Sequence, residues 1–150
     1  MSGFEFRGTA SDLLVDAWRL CAAGELDAAR RKLIGTWSGM IDGVTAGTEG
    51  ARGQVGLVAL KLFARLAPCT DDEEAWRRLP AEVVIYRAGP LGPSWTLDAA
   101  VAQEIKRNVG LTPIRRASVA KSDVLALITW RGESEVVVRP ESVRRQHFVD

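Results

Sequence analysis

The chain has 150 residues, 47% apolar and 26% charged, with a formal net charge of +1. That length fits one domain or a compact pair of layers able to bury about 68–70% of its unfolded surface, and the small net charge gives no general support to a nucleic-acid or membrane-surface role. The two cysteines are far apart, His147 is the single histidine, the first residues lack the basic start and apolar run of a signal peptide, and no apolar run reaches membrane length; a reduced, cytoplasmic protein without a zinc site is expected.

From Thr9 to Leu79 apolar residues recur at helical spacing. Leu13, Leu14, Ala17, Trp18 and Cys21 form one face, Ser11 and Asp12 supply capping groups, and Gly24 closes the helix. Cys21, in that stripe, is expected as a buried free thiol. A second helix is predicted over about Leu26–Trp37, with Leu26, Ala29, Leu33 and Trp37 as its stripe. The Gly- and Thr-rich stretch Gly39–Gly53 reads as a loop or frayed connection. Val55–Ala67 is the most apolar helix, ended by Pro68. Thr70–Glu74 then opens a short helix with acidic residues at its positive end, stopped by Pro80.

After Pro80 the period changes. Val83–Tyr86 is β-branched and aromatic, as in a buried strand, and Gly89–Pro93 is a turn. Ser94-Trp95-Thr96 reads as a brief extended segment and Leu97–Asn108 as a helix, with Asp98 near its start and Val101, Ala102 and Ile105 facing inward. Gly110 and Pro113 mark its exit. Ile114–Val119, Val124–Thr129 and Ser134–Arg139 read as three further strands. The sum is an α+β arrangement: a helical layer over residues 1–80 packed on a strand-rich core over 81–150, together one compact domain.

Three features of the second half come in order: a strand ending in Tyr86-Arg87, then Ser94-Trp95-Thr96 followed by a helix, then a strand opening with Glu133-Ser134-Glu135. In this order and setting they resemble the arginine–serine–glutamate class of mono-ADP-ribosyltransferases, whose motifs are a strand arginine, a Ser-Thr-Ser-like segment and a Glu-x-Glu pair. The resemblance spans about Val83 to Pro140. It implies a split β-sheet holding NAD as substrate, without a metal, and transfer of ADP-ribose to a macromolecule. Compact transferases of this kind occur as toxins and viral effectors.

The chemistry of each residue agrees with the role the resemblance gives it. A guanidinium offers a planar fork of donors to a pyrophosphate, the role expected of Arg87. On an extended segment Ser94 and Thr96 face one side, where their hydroxyls would bond ribose and orient a carboxylate. Trp95, at a position where the family usually has a small residue, either packs inward or walls the NAD cleft. Glu133 and Glu135 would share one strand face. Breaking the nicotinamide–ribose bond develops positive charge on the sugar, and a fixed carboxylate stabilises it. The resemblance assigns that task to Glu135 and contact with the acceptor to Glu133, which in the family goes with arginine as the modified side chain. The turn at Trp130-Arg131 would recognise the target, although a tryptophan closing a hairpin is an equal reading. The expected acceptor is a protein arginine, and the basic lean of the last third keeps a nucleic-acid acceptor open. The alternatives are an NAD glycohydrolase on the same scaffold and a catalytically silent interaction module. Glu135→Gln is expected to remove NAD turnover at near-wild-type thermal stability.

Overall fold

The computed structural model describes residues 10–45, 51–89, 92–110, 113–130 and 132–149. The chain forms two compact units, Met1–Ala67 and Pro68–Asp150. The division falls thirteen residues before the expected one at 80, because the segment after Pro68 joins the sheet.

Among its described residues the first unit holds three helices, α1 (Ala10–Ala22), α2 (Leu26–Thr45) and α3 (Ala51–Leu66). Both α2 and α3 extend into Gly39–Gly53, which the glycine content had pointed to as loop; residues 46–50 lie outside the described part. Helix α1 ends with Gly24 at φ 81°, where Glu25 N–H reaches the Leu20 carbonyl and Gly24 N–H the Cys21 carbonyl, both at 3.0 Å. That double bond pattern needs a left-handed residue, which glycine supplies without a Cβ penalty. Leu14, Ala17, Ala29, Leu33, Trp37, Leu62 and Phe63 are buried, with Trp37 and Phe63 meeting edge to face at 5.4 Å. Cys21 is half-buried rather than fully enclosed.

The second unit is a seven-stranded mixed sheet with helices. Its elements are β1 (Cys69–Thr70), α4 (Glu73–Arg78), β2 (Glu82–Ala88), β3 (Ser94–Thr96), α5 (Ala99–Val109), β4 (Ile114–Ala120), β5 (Val124–Ile128), β6 (Glu135–Val138) and β7 (Arg144–Phe148). The spatial order is β1-β5-β6-β3-β2-β4-β7; β1 runs parallel to β5 and the other neighbours are antiparallel. The fold is therefore α+β, as the change of period implied.

Alternation along the strands builds two apolar layers. Val83, Ile85, Trp95, Ala117, Val119, Leu127, Val136 and Val138 form one core, against which Ala75, Trp76 and Leu97 pack. Ala88, Ala102 and Ile114 form a second, smaller one with Tyr86. Ile105, expected to face inward, is exposed. Asp98 caps α5 by accepting the Ala100 N–H at 2.8 Å, and Gly110 ends that helix at φ 75°.

Hydrogen bonding across this sheet is continuous but uneven. Strands β2 and β4 match over seven residue pairs, Glu82↔Ala120 to Ala88↔Ile114, and β3 matches β6 over three. Between β2 and β3 a single pair, Tyr86↔Thr96, joins the two halves. The sheet is pinched there, and the strand ends beyond the pinch carry Arg87 and Ser94.

Candidate active site at the pinch in the sheet

Arg87 is the penultimate residue of β2 and only 7% exposed. Its Nη1 donates to the Ser94 carbonyl at 2.6 Å, across the point where the two strands part. The guanidinium lies directly against Gly92: a Cβ at that position would come within 2.5 Å of Nη2 and 2.8 Å of Cζ. Any side chain at 92 would push the guanidinium from this position. The carbonyl of the same residue accepts the Trp95 indole N–H at 2.8 Å, so the loop is held from one side while the arginine rests on it.

Ser94 donates its hydroxyl proton to Glu135 Oε2 at 2.6 Å. In the ladder Ser94 lies opposite Val137 and Thr96 opposite Glu135, so Ser94 and Glu135 are diagonal neighbours on one face. Glu135 opens β6 and is 5% exposed. The three groups form a continuous set, guanidinium to Ser94 backbone and Ser94 hydroxyl to carboxylate. Burial and the nearby Arg115 guanidinium lower the Arg87 pKa to about 10, while Glu135 acts in the opposite sense. Arg87 is thus fully charged at neutral pH, and its charge is felt by the carboxylate.

The remaining expected residues fall differently. Trp95 is 2% exposed within the main apolar core. It packs inward, the first of its two expected placements, with its indole N–H on the Gly92 carbonyl. Thr96 is buried and its hydroxyl is committed to backbone: it donates to the Glu133 carbonyl at 2.6 Å and accepts the Asp98 N–H at 3.1 Å. Ser94 alone of the two hydroxyls meets the carboxylate. Glu133 does not share a strand face with Glu135, because Ser134 between them has φ 45° and β6 begins only at Glu135. Period-two reasoning fails where the backbone leaves the extended region.

Trp130 stands 63% exposed in a turn closed by Gly132 N–H to the Thr129 carbonyl at 2.8 Å. Arg131, its expected companion, lies outside the described residues. The turn is anchored by a residue that sequence reading missed. The Asp71 carboxylate accepts the Thr129 N–H at 2.9 Å, the Thr129 hydroxyl at 3.1 Å and the Trp130 N–H at 2.8 Å. Asp71 follows β1, whose parallel pairing with β5 places it beside the end of β5. Arg115 was also missed as a neighbour of the site, although its pairing opposite Arg87 follows directly from the β2–β4 register.

The arrangement offers a buried carboxylate oriented by a serine hydroxyl, beside a buried cation. Such a set can bond a sugar hydroxyl, stabilise developing positive charge and hold an anionic group. No protein-family profile, curated protein or solved structure matches this chain.

Proposed function

We propose that the second unit is a mono-ADP-ribosyltransferase that takes NAD as its substrate at the pinch between β2 and β3. One observation carries this reading: Arg87, Ser94 and Glu135, from three separate strands, converge in one hydrogen-bonded set. Burying a guanidinium and a carboxylate costs desolvation that their attraction offsets only in part, and strongly perturbed ionisable groups gather where chemistry is done.

In this reading Arg87 holds the pyrophosphate, and Ser94 fixes the rotamer of Glu135. Glu135 bonds the ribose 2′-hydroxyl and stabilises the cationic sugar as nicotinamide leaves, the electron pair of the glycosidic bond going with it. Trp130 on its tethered turn meets a macromolecular acceptor, with a protein arginine as the first candidate and Glu133 beside it. Trp95 and Thr96 act by holding the Ser94 segment in place.

The test is nicotinamide release from NAD by purified protein, with and without an arginine-rich acceptor polypeptide. Glu135→Gln is expected to lower release by about a hundredfold or more, the scale for losing one preorganised charge-stabilising group. Ser94→Ala is expected to give a smaller loss. A folded Glu135→Gln protein turning over NAD at the wild-type rate would overturn the reading.

A further inference from the structure

The outermost strand of the sheet carries a second set of groups that this reaction does not use. All five residues of β7, Arg144-Arg145-Gln146-His147-Phe148, are exposed. The register places them in rows with β4 and β2. Arg87, Arg115 and Phe148 form one row, Tyr86, Arg116 and His147 the next, and Ser118 faces Arg144. Four arginines thus lie on two adjacent strands. Arg145 meets Glu82 at 3.4 Å and Arg115 donates to the Gly89 carbonyl at 3.1 Å, while Arg116 and Arg144 have no ion pair with any described residue. Phe148 is 57% exposed, and the Arg115 guanidinium lies over its ring at 5.0 Å.

Two kinds of partner suit a basic sheet edge. An acidic peptide adding a strand needs an unbroken row of outward N–H and C=O groups. Here the row is broken: Arg145 has φ 56° and the β4–β7 register shifts between Arg116 and Ser118. Such an irregularity turns edge groups out of line and discourages strand addition. A single-stranded nucleic acid needs no such row. It needs guanidinium groups for phosphates and an aromatic face for a base; the register turns Arg116 and Arg144 to one face of the edge and the Arg115–Phe148 pair to the other, so a flexible strand crossing over the exposed edge meets both, with the side of the Phe148 ring away from Arg115 left for the base.

We infer that the β7 edge binds single-stranded nucleic acid, with phosphates on Arg116 and Arg144 and a base stacked on Phe148. The inference stands apart from the NAD chemistry, since binding is measured without NAD. The row from Phe148 through Arg115 to Arg87 also leads from this edge to the pinch.

The experiment is fluorescence anisotropy of labelled dT20 and U20 oligonucleotides against the full chain from about 50 to 200 mM salt. Binding is expected to weaken steeply with salt. The double variant Arg116→Ala/Arg144→Ala is expected to lose about tenfold or more in affinity and to flatten the log–log salt slope by about 0.7 per lost contact. Arg144→Glu, at an exposed position, is expected to weaken binding without lowering the melting temperature. Phe148→Ala is expected to weaken it about tenfold with the slope kept, the signature of lost stacking. Absence of binding at the lowest salt overturns the inference. So does equal affinity in wild type and both arginine variants, or displacement by polyglutamate as readily as by oligonucleotide, which would make the edge a general acceptor of acidic chains.

Discussion

Two places in the second unit use a carboxylate to tie distant segments together, and they do it in opposite surroundings. At the turn after β5, exposed Asp71 takes two backbone N–H groups and a hydroxyl from Thr129 and Trp130. At the pinch, Glu135 is buried, takes the Ser94 hydroxyl, and feels the charge of buried Arg87. The first tether costs little desolvation, because its carboxylate stays in contact with water. The second is expensive on both partners. A fold able to tether by the Asp71 method has no architectural need of the buried one, and that contrast is what favours a chemical purpose at the pinch.

The contrast breaks most sharply at Arg87. Arg87→Ala leaves Glu135 buried without its cation and is expected to destabilise the chain by roughly 3–5 kcal/mol, the scale for removing one partner of a buried pair. Urea unfolding at neutral pH measures it, with the guanidinium fully charged there because its pKa stays at about 10. Unfolded arginine titrates higher still. The folded and unfolded chains therefore bind the same proton below about pH 10, and stability gains from relieving the buried charge only above it. The same argument revises the expectation for Glu135→Gln. Sequence alone implied near-wild-type thermal stability, but the observed burial means that this variant strands Arg87 and melts lower. A loss at Arg87 no larger than that of an exposed residue would make the two tethers equivalent.

Gly92 gives a finer cut. Gly92→Ala places a methyl where the Arg87 guanidinium lies, so the arginine must leave the Ser94 carbonyl or the loop must move. Overpacking of this kind costs about 1–3 kcal/mol. The loss in NAD turnover is expected to exceed what the fraction unfolded explains, because the displaced group is the proposed pyrophosphate ligand. Nicotinamide release measured well below the melting temperature separates the two effects. Turnover that tracks stability alone would return Gly92 to the status of a loop residue.

Much of the second unit was legible because its signals are local. The β-branched runs of β2, β5 and β6, the Asp98 cap and the Gly110 exit each announce themselves within a few residues. The strands that went unread lack such signals: β1 is two residues long and held by its parallel partner, and β7 is exposed throughout, without apolar alternation. In the first unit, glycine in Gly39–Gly53 pointed to loop, yet 39–45 and 51–53 are helical, since propensity is a weak prior. For the candidate site, Arg87, Ser94 and Glu135 could be named from strand ends and motif order. Trp95 and Thr96 could not be sorted from them, because which side chain meets the core and which meets backbone depends on register. Asp71 was invisible for the same reason, lying more than fifty residues from the amides it holds.

The smallest expected effect tests the turn itself. Asp71→Ala removes every bond from that carboxylate to Thr129 and Trp130, yet the group is exposed and water replaces it as acceptor, so the stability cost is about 1 kcal/mol. What changes is order. The Thr129 and Trp130 amides are expected to exchange hydrogen faster, while core amides of β6 keep their protection. If Trp130 meets the acceptor, loosening its turn lowers transfer to a polypeptide and leaves nicotinamide release into water unchanged, because Arg87, Ser94 and Glu135 are untouched. A fall in both rates together would place the turn within the NAD site. Faster exchange with transfer fully retained would show that the tether serves only to hold β1 against β5.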